Sequence, residues 1–167
     1  KTGDCAQSVA NYIEKLRAQV RQVKGMAPRY RDRIVFVPFN EPDGNMFAEG
    51  PKSCNNVRWQ KDPTAFNDAW DRAFLRHAIA ADTMPDVVTW HELSNPAVVR
   101  TSVRRFREWE DRLFKGTKWQ GRHLPVNINE YAYNYHTSVP GQMVQWVAAI
   151  EDSKVDADIA YWNIDGN

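Results

Sequence analysis

The sequence has no stretch approaching the roughly 18 consecutive apolar residues that a membrane-spanning helix needs. It also has no excess of charge, because 22 basic residues face 21 acidic ones and the formal net charge is +1. A nucleic-acid surface requires a basic excess on one face, so this balance argues against one. Internal repeats and low-complexity tracts are absent as well. We therefore expect neither a membrane nor a nucleic acid as a partner.

Cysteine is scarce, with Cys5 and Cys54 alone in 167 residues. Their spacing is not the CxxC spacing of a metal or redox site, so they are either free thiols or one disulfide. The chain opens with Lys1 and no signal peptide precedes its first helical pattern. Because the chain does not begin as a natural protein does, this absence says nothing about targeting.

The composition that is present is that of a globular domain. Hydrophobic residues make up 43% and charged residues 26%, and 167 residues suffice for one domain with a packed core. Seven tryptophans and six tyrosines are many for this length. They are explained either by an aromatic-rich core or by flat surfaces that stack on a ring-shaped ligand, and composition alone does not choose.

Apolar spacing predicts helices that alternate with short strands, the first of which is a continuous apolar run. This alternation predicts an α/β fold with a parallel sheet. The last three strand starts are separated by about one βα unit of a TIM barrel, roughly 31 residues. The predicted helices cover 6–24, 62–81, 96–114 and 141–150, and the predicted strands cover 34–39, 86–93, 124–130 and 158–163.

Each predicted strand ends in polar or aromatic residues that its apolar body does not need. In parallel α/β folds the ligand binds at the carboxyl ends of the strands, so these residues predict the floor of an active site. The residues at the strand ends are Asn40-Glu41, His91-Glu92, Asn129-Glu130-Tyr131 and Trp162-Asn163.

Two of these residues, Glu41 and Glu130, each follow an asparagine at the end of an apolar strand. A pair of carboxyl groups is the basic equipment of glycoside hydrolysis, in which one protonates the leaving oxygen and the other attacks or activates water. Pro42 cannot continue a strand ladder and therefore ends the strand beside Glu41. Asn40 and Asn129 can both donate and accept hydrogen bonds, which suits sugar hydroxyls.

The Asn40-Glu41-Pro42 motif, followed in order by His91, the Asn-Glu-Tyr motif at 129–131 and Trp162, resembles glycoside hydrolase clan A. Family 39 and its relatives are the nearest resemblance within the clan. The resemblance implies a TIM (β/α)8 barrel, a retaining mechanism, a carbohydrate substrate with xylose- or arabinose-type sugars, and no metal or organic cofactor.

The resemblance also implies individual roles. Glu41 would be the acid/base and Glu130 the nucleophile. Asn40 would bind the 2-hydroxyl of the sugar at the cleavage point, and Trp162 would lie under that sugar. His91 would contact the sugar or the nucleophile, while Asn129 and Tyr131 would line the substrate site.

Compared with a complete barrel, the resemblance accounts for strands four, six, seven and eight. Strands one to three and strand five have no counterpart in the sequence, and four parallel strands do not close a barrel. We therefore interpret residues 1–167 as the C-terminal part of a single catalytic (β/α)8-barrel domain that is incompletely represented.

Several residues carry a second interpretation. His91 is equally explained as a core histidine, and Glu92 should point away from it. A zinc site of the HExxH type would need a histidine where Asn95 stands. The residues after the third strand, Tyr133, Tyr135 and His136, either shape a substrate subsite or cover the rim.

Other functions also fit the pattern. A transglycosylase would use the same carboxyl pair, a non-catalytic carbohydrate-binding barrel would need neither carboxyl, and a structural fragment of a larger assembly would need no site. A disulfide between Cys5 and Cys54 across the rim would fit a secreted enzyme. The sequence leaves the oligomeric state open.

Overall fold

The computed structural model describes residues 5–26, 28–37, 74–93 and 95–160. These residues form two compact units, the first ending at Asp86 and the second beginning at Val87. The predictions for Asn40, Glu41 and Trp162 lie outside the described ranges, as does Cys54, so the disulfide stays a prediction. No helix among the described residues is both long and apolar enough to cross a membrane.

Among its described residues, the first unit has two α-helices and one 3-10 helix. Helix α1 spans Cys5–Met26 and is followed by a 3-10 helix at Pro28–Arg33. Helix α2 covers residues 74–81, the described part of the predicted helix 62–81. Leu16 and Val20 of α1 line a small cavity together with Phe74 and Ala78 of α2. Two members of the apolar stripe that predicted α1, Leu16 and Val20, thus face α2, whereas Val23 of the same stripe is 46% exposed.

The sequence predicted a strand at 34–39, and this prediction is wrong for residues 34–37, the part that the structure describes. Residues 34–37 are irregular, and the side chains of Val35 and Val37 are 62% and 42% exposed. Phe36 contacts Asp86 instead: its N–H donates to the Asp86 carboxylate at 2.6 Å, and its C=O accepts from the Asp86 N–H at 3.0 Å. An apolar run becomes a buried strand only where neighbouring strands meet its edges, and here a side chain takes the amide.

The second unit is a parallel sheet with helices, which confirms the α/β fold and the parallel sheet. Its elements run β1 (Val88–Glu92), α3 (Pro96–Phe114), β2 (Val126–Tyr131), α4 (Asn134–Thr137), α5 (Pro140–Ser153) and β3 (Asp156–Ala160). The strand order is β1-β2-β3, and both neighbouring pairs are parallel.

Helix α3 has the bounds that the sequence predicted, because its start carries clear signals. The Asn95 side chain accepts a hydrogen bond from the Ala97 N–H at 2.9 Å, and Pro96 occupies the first turn. Both features are typical of helix N-termini. The apolar face of α3 packs into the core of this unit with residues of β2 and α5. The buried residues of this core include Val99, Val103 and Phe106 of α3, Ile128 of β2, and Trp146 and Ala149 of α5.

Candidate active site

The carboxyl ends of β1 and β2 meet at an irregularity in the sheet. Trp90 pairs with Ile128, but the next residue, His91, pairs with Glu130, so Asn129 is skipped. Such a bulge redirects a side chain where ladder pairing is interrupted. It places His91 directly across from Glu130, at the edge where the sequence predicted the site.

His91 and Glu130 are in close contact. The distance from His91 Nδ1 to Glu130 Oε2 is 3.1 Å, and the side chains are 10% and 27% exposed. The contact is an ion pair when the imidazole is protonated. At this distance and burial His91 restricts where the carboxylate points, while the remaining exposure leaves Glu130 reachable from solvent. A carboxylate held in this way can act as a nucleophile or as a base.

Glu92 and Trp90 of β1 face the opposite side of the sheet from His91, as the sequence predicted for Glu92. The Trp90 ring lies 5.8 Å from the Phe106 ring of α3. The Trp90 indole N–H donates to Glu92 Oε1 at 3.0 Å, and Glu92 is 7% exposed. Burial raises the pKa of the Glu92 carboxyl, and hydrogen bonds from Ser102 and Trp90 oppose the rise. Glu92 therefore belongs to the packing against α3.

Asn129 and Tyr131 flank Glu130 at the end of β2, and both are partly buried. The Tyr131 ring packs 6.1 Å from the buried Trp146 ring of α5. In the structure, Glu130 therefore contacts His91, whereas Tyr131 packs against helix α5. The substrate-binding roles of Asn129 and Tyr131 stay predictions.

A further polar pair lies on the sheet, and the sequence analysis missed it. The Asn127 side-chain amide donates to Asp158 Oδ1 of β3 at 2.9 Å. A signal was present, because Asn127 and Asn129 alternate with the buried Val126 and Ile128, and polar residues at a period of two mark one polar face of a strand.

The chain turns sharply after β2. Ala132 has φ of 67° and is fully buried, and its N–H donates to the Glu92 carbonyl at 3.1 Å. This left-handed residue carries the chain from Tyr131 into the short helix α4. In the described part of the chain, no group of three or more His, Cys, Asp or Glu side chains is arranged to hold a metal ion.

Comparisons with known proteins point to glycosidases. No family model matches the chain. It is 32% identical, over 177 residues, to the 3-O-β-L-arabinopyranosyl-α-L-arabinofuranosidase of Bifidobacterium pseudocatenulatum, which covers 81% of this chain. It is 31% identical, over 181 residues and again 81% of the chain, to the 3-O-α-D-galactosyl-α-L-arabinofuranosidase of Bifidobacterium longum subsp. longum.

The chain spans only 18% and 15% of the lengths of these two relatives. Among solved structures, N2152 from Neocallimastix frontalis is 28% identical, with a TM-score of 0.48 over 57% of this chain and 23% of that one. Both curated relatives are named as glycosidases, which agrees with the enzyme class that the sequence predicted. The chain is thus similar, over most of its length, to part of two arabinofuranosidases.

Proposed function

We propose that this chain is part of a retaining glycoside hydrolase of clan A, related to family 39, that acts on arabinofuranosides. The observation that carries the proposal is the 3.1 Å contact between His91 and Glu130 at the carboxyl edge of a parallel sheet. This is the edge at which α/β enzymes bind their ligands. The similarity to two named arabinofuranosidases supports it independently.

The proposed architecture is an incompletely represented (β/α)8 barrel, of which residues 1–167 form the C-terminal part. Three parallel strands in sequential order, with helices between them, support this proposal. The alignments extend over 177 and 181 positions, more than the 167 residues of this chain, so the relatives have residues where this chain has none. An additional strand in such an insertion would account for the missing fifth strand.

The proposed reaction is a double displacement. Glu130 attacks the anomeric carbon and the glycosidic C–O bond breaks, while Glu41 gives its proton to the leaving oxygen. Glu41 then takes a proton from water, whose oxygen attacks the anomeric carbon and releases Glu130. Both carboxyl groups return to their starting protonation states, and one water is consumed.

The remaining predicted residues complete the proposed site. Asn40 binds the 2-hydroxyl, Trp162 lies under the sugar at the cleavage point, and Asn129 and Tyr131 line the site. His91 acts on Glu130 and is therefore a positioning residue.

The proposed substrate is an α-L-arabinofuranoside that carries a second sugar at its 3-oxygen. The support is that the names of both relatives share this arabinofuranoside and the 3-O linkage, although the second sugar differs between them. A xylose-type substrate fits the clan resemblance but not these names.

The test uses the full-length protein with such a glycoside. We expect the first released sugar, observed by NMR before mutarotation, to have the anomeric configuration of the substrate. Glu130→Gln should lower kcat at least about 10³-fold, as removal of a nucleophile does. Glu130→Ala should regain turnover with azide, giving a glycosyl azide of inverted configuration because the small anion attacks directly.

The matched control is Glu92→Gln, which changes a neighbouring carboxyl that faces α3 and should retain kcat. An inverted first product would overturn the retaining mechanism. Unchanged kcat in Glu130→Gln would overturn the assignment of the nucleophile. Binding without turnover in the unmodified protein would favour a non-catalytic barrel, and transfer to an added acceptor sugar in place of hydrolysis would favour a transglycosylase.

A further inference from the structure

The segment directly after β2 presents an aromatic cluster, defined here as Tyr133, Tyr135 and His136. The rings of Tyr133 and Tyr135 lie 5.1 Å apart, and Tyr135 meets His136 edge to face at 4.3 Å. Tyr133 is 43% exposed and Tyr135 62% exposed, whereas His136 is 7% exposed. A buried histidine thus supports two tyrosine rings that leave much of their surface to solvent.

His136 is fixed in one orientation. Its Nδ1 accepts from the Tyr133 backbone N–H at 3.1 Å and faces the Trp146 indole N–H at 3.4 Å. Because Nδ1 accepts from two N–H groups, the ring proton lies on Nε2. Among the described residues Nε2 has no hydrogen-bond partner. The ring therefore offers one oriented donor that no other described residue uses.

The aromatic cluster is connected to the end of β2 through Trp146. The Trp146 ring lies 6.1 Å from the Tyr131 ring and 5.9 Å from the His136 ring. Trp146 is fully buried, so it is a rigid connection between the residue next to Glu130 and the cluster. The turn at Ala132 keeps the cluster within a few residues of Glu130.

We propose that Tyr135 and His136 form a subsite for a second sugar ring, next to the sugar whose bond is cleaved. The exposed Tyr135 ring stacks on the C–H face of the sugar, and His136 Nε2–H donates to one of its hydroxyls. An exposed aromatic ring gains from covering apolar sugar surface, and an oriented donor selects the hydroxyl. The inference rests on the proposed function, and it concerns specificity and not the chemical step.

The experiment compares two substrates of the full-length protein: an arabinofuranoside with a second sugar at its 3-oxygen, and an aryl arabinofuranoside without one. Tyr135→Ala should raise KM for the first about tenfold, which corresponds to ~1.4 kcal/mol. It should leave kcat/KM for the aryl glycoside within about twofold, since one stacking contact is lost and the reacting groups are untouched.

Three further variants sharpen the test. Tyr135→Phe keeps the ring and should keep the unmodified KM. His136→Gln keeps an acceptor for the Tyr133 N–H, as glutamine does in capping boxes, but loses the Nε2 donor, so it should also raise KM for the first substrate. Tyr30→Ala removes another exposed tyrosine, 42% exposed, from the first unit and should change nothing. Melting temperatures check that each variant folds.

An unchanged KM in Tyr135→Ala, or an equal loss on both substrates, would overturn the subsite while leaving the hydrolase proposal standing. If the unmodified protein hydrolyses neither substrate, calorimetry with the two-sugar glycoside decides. Binding that Tyr135→Ala weakens would support the subsite and reject the hydrolase, and an absence of binding would overturn both.

Discussion

At the scale of single residues, the contact between His91 and Glu130 is the centre of the proposed chemistry. His91→Asn shortens the side chain and removes the 3.1 Å contact with the carboxylate. Because a misplacement of the reacting carboxylate by about 1 Å can cost ~10²-fold in rate, we expect kcat/KM to fall roughly 10- to 100-fold. The loss should lie mainly in kcat, because His91 orients the nucleophile, and steady-state kinetics on the full-length protein measures the split.

The chain offers a matched control for that variant. His123 Nε2 lies 3.1 Å from Asp111 Oδ1, the same distance, but the two side chains are 49% and 67% exposed. His123→Asn should leave both kcat and KM unchanged. If the two histidine variants behave alike, or if His91→Asn raises KM alone, His91 is not a positioning residue for Glu130.

A second prediction at this scale concerns the Glu92 carboxyl. Burial raises its pKa above 4.5, so the folded state prefers the protonated form. The stability from this preference is present below the unfolded pKa and is lost as pH rises through the folded pKa. Glu92→Gln has no such group, so we expect it to gain in melting temperature relative to the unmodified protein as pH rises from 4 upward.

Trp90→Phe tests whether the Glu92 carboxyl causes this pH dependence of stability. It removes the indole N–H that donates to Glu92 at 3.0 Å and holds the pKa down, so the loss of stability should move to higher pH. A melting-temperature difference between Glu92→Gln and the unmodified protein that does not depend on pH would contradict the prediction.

At the scale of elements, a buried carboxylate joins the end of α3 to the start of β2. Glu110 is fully buried; its Oε1 accepts from the Leu124 N–H at 2.6 Å and its Oε2 from Arg107 Nη1 at 2.7 Å. Arg107 also donates to the Leu124 carbonyl at 2.8 Å. Glu110→Ala leaves the guanidinium and the amide without their acceptor, and should cost about 3 kcal/mol of unfolding free energy.

Denaturant unfolding measures this cost. The control is Glu108→Ala on the same helix, where the carboxylate lies 3.8 Å from Arg112 and both side chains are more than half exposed. An exposed pair contributes little, so the control should change the unfolding free energy by less than about 1 kcal/mol. Equal losses in the two variants would show that the connection of Glu110 to β2 contributes no more than an exposed ion pair.

The same elements show what the sequence could predict. Helix α3 was predicted at about 96–114 from its apolar spacing, and the structure has these bounds, because helical spacing and an N-terminal cap are local signals whose effect does not depend on the rest of the fold. The run at 34–39 was predicted as a strand, yet 34–37 are irregular. Strand formation depends on partners that are distant in sequence, and periodicity does not reveal them.

The same distinction between local signals and pairing over long sequence distances applies to the candidate site. The position of Glu130 at the end of a strand was readable, because the alternation of Val126 and Ile128 with asparagines stops there. The bulge that aligns His91 with Glu130 was not, because register depends on the pairing of two strands 38 residues apart in the ladder (Trp90 with Ile128). The acceptor role of His136 was equally hidden, since it depends on the Trp146 indole from another helix.

At the scale of the whole molecule, a closed barrel requires that the outer edges of β1 and β3 are paired with further strands. Among the described residues β2 has a neighbour on each side, whereas β1 and β3 each pair with β2 alone. In a closed barrel every strand has two neighbours, so the outer edges of β1 and β3 are also paired. An open parallel sheet would instead leave the amides on those edges to solvent.

Hydrogen–deuterium exchange of the full-length protein distinguishes the two cases. If the barrel closes, peptides that contain Val88–Glu92 and Asp156–Ala160 should be protected as strongly as the peptide that contains Val126–Tyr131, which is the internal control. Exchange reports local opening, so unpaired edge amides would exchange far faster than the central strand. Fast exchange confined to β1 and β3 would reject the barrel. It would leave the contact between His91 and Glu130 unaffected, because that contact lies between β1 and β2.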